Sequence, residues 1–214
     1  MKDLSIAQAF MLCSLNEKGK LPALKTEVPI CILAGGVIDL WMNNCIIIEN
    51  KKLSILEDLP QNMQHLKAIY EAVADSKSIS IEKLTSDFCF TLTDKRMKVL
   101  VHEVGDSLLA MECVSSGDKG LSGKNAIYIP DKTQVERTIQ TIRAEFLEEG
   151  TVSDQTVALA SLLEKCGMLK NYFSKHESSL AKARIKEIKQ SQEHKVASEM
   201  VDYVTTMIAV FAAV

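Results

Sequence analysis

The sequence is short of the residues that tight, repeated turns require. Four prolines and nine glycines in 214 residues are too few for a sandwich or barrel of many short strands. Aromatic residues are also scarce, 5% against a hydrophobic content of 47%, so the interior must be packed with aliphatic side chains. There is no basic surplus: 25 Lys and Arg stand against 28 Asp and Glu, for a formal charge of −3. A nucleic-acid-binding domain carries a cationic face, so nucleic acid is not an expected partner. The six cysteines, Cys13, Cys31, Cys45, Cys89, Cys113 and Cys166, include no C-x-x-C pair, and none has a histidine at metal-ligand spacing. They lie mostly among apolar residues, as in Ile30-Cys31-Ile32, and read as small reduced core residues rather than ligands. No metal or other cofactor is expected. Met1 to Ser5 carry charge with no apolar core behind them, so a cleavable leader is not expected either.

What remains suits one compact, mainly α domain over residues 1–214. Ser5-Ile6-Ala7-Gln8 has the spacing of a capping box, and Ile6, Ala9, Phe10 and Cys13 follow at helical intervals. A second helix is predicted over 26–42, with Glu27 at its positive end and Pro29 in its first turn. Its centre is apolar all round and so buried. Gly35 and Gly36 each lower helix propensity by about 1 kcal/mol relative to Ala, which makes sense where another helix crosses close to the backbone. Two short runs, 46–49 and 52–55, flank Asn50-Lys51 and predict a hairpin. Helices are expected over 63–74, 80–90 and 95–104, the last ended by Gly105. A second hairpin is expected between 107–112 and 126–129. Helices resume over 131–147 and from Asp154, and a charged amphipathic helix covers 178–192. The run 196–214 contains Glu199 and Asp202, which are costly in a bilayer. It is expected to be a core helix, with a membrane anchor as the weaker reading.

Catalytic chemistry is not marked. His65 and His176 fall on polar faces, His194 lies among charged residues, and His102-Glu103 are neighbours that point apart on a helix. Residues 117–124 are glycine-rich and end in Gly123-Lys124, but Asn125 follows where a phosphate loop has Ser or Thr, and the next residues are extended. Basic residues gather at Lys95, Arg96 and Lys98, and again along Lys175, Lys182, Arg184, Lys186 and Lys189. Such runs are solvated helix faces or, alternatively, surfaces for anionic headgroups.

Several stretches, in order, resemble the Golgi phosphoprotein 3-like (GPP34) family. They are Leu4 to Leu12 with the Asn16-Glu17-Lys18-Gly19-Lys20 turn, the apolar helix from Cys31 to Trp41 with its hairpin, and Val99 to Leu108. Ile127-Tyr128-Ile129-Pro130-Asp131 and the apolar last helix complete the likeness, which spans nearly the whole chain. The resemblance implies helices around a buried apolar C-terminal helix, with one or two β-hairpins and no catalytic centre. It implies a cytoplasmic, peripherally membrane-associated adaptor that binds phosphatidylinositol 4-phosphate and cytosolic protein tails. The family's pocket uses one tryptophan and three arginines. Here those positions align with Leu24, Leu33, Thr91 and Asp94, so the usual donors are replaced.

The headgroup-binding residues expected instead are Lys25, Lys95 and Arg96, facing an anionic phospholipid surface, with Leu121 as an apolar loop residue entering the interface. The alternative is a self-associating interaction or scaffold protein, a homo-oligomer that has lost lipid binding.

Overall fold

In the computed structural model, residues 3–23, 25, 27–90, 95–117, 126–148, 150–190 and 195–212 are described, with backbone only at 195–197, 200 and 210–212. The fold is mainly α. Helices α1 (Ile6–Ser14) and α2 (Glu27–Met42) come first, followed by strands β1 (Ile46–Glu49) and β2 (Lys52–Ile55). A 3-10 turn (Gln61–Leu66) leads into α3 (Lys67–Ala74), β3 (Ile79–Ser80), α4 (Ile81–Cys89) and α5 (Lys95–Ala110). The hairpin β4 (Val114–Ser116) and β5 (Tyr128–Pro130) precedes α6 (Lys132–Leu147), α7 (Asp154–Lys165), α8 (Lys175–Gln190) and α9 (Lys195–Ala212).

Helix α1 starts where the capping box puts it: the Ser5 amide donates to Gln8 Oε1 at 2.9 Å, and the Gln8 amide donates to Ser5 Oγ at 3.4 Å. A second cap comes from far along the chain. Asp39, in the last turn of α2, accepts the amides of Ile6 at 2.8 Å and Ala7 at 2.9 Å, one on each carboxylate oxygen. These are orphan donors of the first helical turn, here satisfied inside the protein. The helix pair can approach this closely because Gly35 faces α1. A Cβ there would stand 3.1 Å from both Cα and N of Ala7, and one at Gly36 would stand 2.5 Å from Ile69 Cδ1.

α2 is buried on every side, with all residues from Ile30 to Leu40 enclosed, as is the shorter α1. α9 packs against α2, α4, α7 and α8 through one face, on which Val201, Val204 and Met207 are buried. Its other face is wet: Asp202 is exposed and pairs with Lys189 of α8. Tyr203 meets the end of α2 edge-on, its ring centroid 5.7 Å from that of Trp41. Among the described residues no helix is long and apolar enough to cross a membrane.

The first hairpin has the expected register, Ile46 opposite Ile55 and Glu49 opposite Lys52. Its turn places Asn50 and Lys51 at φ 50° and 61°, the left-handed pair of a type I′ turn. β3, which the sequence reading did not anticipate, pairs with β2 to make the sheet three-stranded. The second hairpin is displaced. Residues 107–110 are the last turn of α5 rather than a strand, because Leu108 extends the buried stripe of Met97, Leu100 and Val104. The strand begins only at Val114, and the Gly105 stop does not operate. Apart from Gly117, the phosphate-loop-like stretch lies outside the described residues, as does Leu121.

Candidate functional site

A cleft of about 690 Å³ opens where α1, α2, α4, α5 and the approach to β5 converge. Met11 of α1 and Leu15 just past its end form part of the lining, with Pro29 and Ile30 from the first turn of α2, Phe88 from α4, and Met97 and Val101 from α5. The polar groups are Lys20 and Lys25 from the segment between α1 and α2, Lys98 and His102 from α5, and Tyr128. The site is therefore an aliphatic slot with ammonium groups among its lining residues.

Two glycines set this geometry. Gly19 has φ +69°, and a Cβ there would lie 2.8 Å from the Tyr128 carbonyl carbon, so only glycine lets the α1–α2 turn lie against β5. Gly105 is the place where α5 admits the Tyr128 ring: an added Cβ would stand 2.3 Å from Tyr128 Cε2. The ring is oriented by its hydroxyl, which donates to Asp106 Oδ1 at 2.8 Å. Asp106 also pairs with His102 Nδ1 at 2.8 Å across one helical turn. Burial, then the Asp106 hydrogen bond, push the Tyr128 hydroxyl well above the usual tyrosine range. It stays protonated and serves as a donor.

Of the three residues expected to bind headgroups, the structure brings one to the cleft. Lys25 lines it, but its ammonium also caps the C-terminus of α7, donating to the carbonyls of Cys166 at 2.6 Å and Gly167 at 3.1 Å. Lys95 and Arg96 lie on the first turn of α5, outside the cleft lining, and Arg96 is 3.8 Å from Asp87. Lys98 is the α5 cation that does line it. For Arg96 the signal was available: Lys98 shares the face of Met97, Val101 and His102, whereas Arg96, two positions earlier, points nearly opposite. Lys95, three positions before Lys98, shares that face but lies a turn nearer the helix start. Lys20 was visible only as part of a turn.

Leu33, aligned with an arginine of the family's pocket, is fully buried and does not line the cleft. The other aligned positions, Leu24, Thr91 and Asp94, lie outside the described residues. The second basic run, on α8, is paired at three of its five positions: Lys182 meets Glu164 at 3.6 Å, Arg184 meets Glu187 at 2.9 Å, and Lys189 meets Asp202.

His65 departs from its expected polar face. It is 8% exposed, with Nε2 3.1 Å from Ser5 Oγ. Among the described residues no group of three or more His, Cys, Asp or Glu could hold a metal ion.

Residues 6–207 match the family model described as Golgi phosphoprotein 3 (GPP34), nearly the whole chain. No curated protein matches it.

Proposed function

The chain belongs to the Golgi phosphoprotein 3 (GPP34) family, and from that premise we propose that it acts without catalysis, as a peripheral adaptor holding an anionic phospholipid headgroup at this cleft. The observation that supports the reading most is the pairing of aliphatic walls with lysines around one cavity. An amphiphile needs both: its glyceryl end rests against Met97, Val101 and Ile30, while its phosphate meets Lys20 and Lys98. Lys25 spends two of the three N–H donors of an ammonium on carbonyls, which leaves one for a ligand. Lys95 and Arg96, at the start of the same helix, add positive potential for the approach to a bilayer. Phosphatidylinositol 4-phosphate is the headgroup the family resemblance suggests, although it would be held here by lysines rather than by a fork of arginines. A cytosolic protein tail would be the second partner.

The test is co-sedimentation of the full chain with phosphatidylcholine, phosphatidylserine and phosphatidylinositol 4-phosphate vesicles at low and high salt. Binding to anionic vesicles should weaken with salt. With each basic residue worth about 1 kcal/mol near an anionic surface, Lys20→Ala with Lys98→Ala should weaken it about thirtyfold. Failure to sediment with any vesicle at low salt would refute the lipid reading and leave the self-associating scaffold.

A further inference from the structure

Cys31 and Cys166 meet between α2 and the end of α7. Their sulfurs are 3.1 Å apart, about 1 Å beyond the length of a covalent S–S bond. Cys31, one turn into α2, is 0% exposed, and Cys166, the C-cap residue of α7, is 5% exposed. Ile30, the residue before Cys31, lines the cleft, and the carbonyl of Cys166 accepts the Lys25 ammonium.

We propose that Cys31 and Cys166 form a modification site, a thiol pair that hydrogen peroxide converts into a disulfide tying the start of α2 to the end of α7. Cys166 is the point of entry, being the less enclosed sulfur and lying on a turn that continues into Gly167 at φ +59°. Its thiolate attacks one peroxide oxygen. The S–O bond forms as the O–O bond breaks, hydroxide leaves and takes up the proton the thiol gave up, and Cys166 becomes a sulfenic acid. The Cys31 sulfur then attacks the Cys166 sulfur. The S–S bond forms, the S–O bond breaks, and the hydroxyl leaves as water with the Cys31 proton. Two thiols lose two electrons, one hydrogen peroxide gains them, and two waters result. Cys31 suits the second role because hydrogen bonding to Cys166, then burial, hold its thiol well above the usual cysteine range. It keeps its proton until the sulfenic acid stands beside it. The bridge spans 135 residues of sequence, so it constrains the unfolded chain strongly.

The experiment is to treat the folded full chain with hydrogen peroxide, block remaining thiols by alkylation, and map unreduced peptides by mass spectrometry while following Tm. The expected result is a cross-linked peptide joining Cys31 to Cys166, reversed by dithiothreitol, with Tm raised by several degrees in the oxidised chain. In Cys31→Ala, dimedone should trap the sulfenic acid at Cys166, and peroxide should no longer raise Tm. Cys166→Ser, altered at the less enclosed end, serves if the first variant does not fold, and should show neither cross-link nor Tm rise. Over-oxidation of Cys166 beside an alkylatable Cys31, or a cross-link formed only in urea-unfolded chain, would overturn the assignment.

Discussion

Asp39 reaches from the last turn of α2 to the start of α1, where its Oδ1 accepts the Ile6 amide at 2.8 Å. With Oδ2 taken by Ala7 at 2.9 Å, the carboxylate is fully used inside the protein, and the residue is only 4% exposed. Asp39→Asn keeps the size but has one acceptor oxygen, and it turns an NH₂ toward an N–H. A loss of about 1–3 kcal/mol is expected from the stranded buried donor. Urea denaturation at pH 7 measures it; a change below about 0.5 kcal/mol would contradict the capping role.

The pH dependence of stability should hold two opposed contributions. Burial pushes the Asp39 carboxyl from 3.8 up to about 6, against the Ala7, Ile6 and Ser5 hydrogen bonds that lower it. Burial also pushes His65 from 6.5 down to about 4. Across pH 4 to 6 the folded chain keeps a proton on Asp39 that the unfolded chain releases, so this contribution weakens as pH rises. Over pH 4 to 6.5 the unfolded chain binds a proton on His65 that the folded chain does not, so that contribution strengthens as pH rises. Each amounts to about 3 kcal/mol at 1.36 kcal/mol per pH unit, and in the natural chain they nearly cancel. His65→Gln should therefore lose stability from pH 4 to 6, whereas Asp39→Asn should gain it. Equal slopes for the two variants in urea titrations would be incompatible with this account.

Gly105→Ala should destabilise despite its gain of about 1 kcal/mol in helix propensity. The new methyl meets the Tyr128 ring at 2.3 Å, and the ring cannot swing aside without giving up Asp106. A net loss of about 2 kcal/mol is expected from overpacking and the broken hydrogen bond. Adding Tyr128→Ala should recover part of it in a double-mutant cycle, and strict additivity would place the strain elsewhere.

Lys25→Met separates the structural role of this lysine from its place at the cleft. Losing a charged donor to two carbonyls at the C-terminus of α7 should cost about 1–2 kcal/mol. Lys20→Ala and Lys98→Ala, whose side chains are exposed, should leave Tm within about 2 °C of the natural chain. Thermal unfolding of the three variants side by side decides this.

Filling the slot tests whether shape matters as well as charge. Val101 is half-buried and lines the cleft, so Val101→Trp should occupy ligand space without altering net charge. Anionic-vesicle binding should fall at least tenfold while circular dichroism stays native. Undiminished binding would mean that a flat charged surface, not the cleft, meets the lipid.

Much of the helical order was legible because its signals are local. The capping box at Ser5, the Asn50-Lys51 turn and the apolar centre of α2 each need only a few consecutive residues. Gly35 and Gly36 announced a close helix crossing, although nothing in their neighbourhood named Ala7 or Ile69 as the partners. The errors came where distant packing decided. Residues 107–110 alternate weakly, but Leu108 is claimed by the core and keeps the segment helical. His65 looked solvated on its own turn and is enclosed only because that turn packs beside α1 and α5. Asp39 is one acid in an apolar run, and its partner lies 33 residues upstream, out of reach of any local signal. The cleft draws on five elements and has no local signature. Even so, the spacing of Met97, Lys98, Val101 and His102 could have favoured Lys98 over Arg96, although not over Lys95, which shares its face.

The edge contact between Trp41 and Tyr203 has a spectroscopic consequence. The chain has one tryptophan, so its tryptophan emission has a single source, at the junction of α2 and α9. Separation of the last helix from α2 would wet that indole and shift its emission to the red before the buried centre of α2 opened. The protein thus carries a built-in optical gauge of whether its C-terminal helix is seated, readable without a label and in the presence of vesicles.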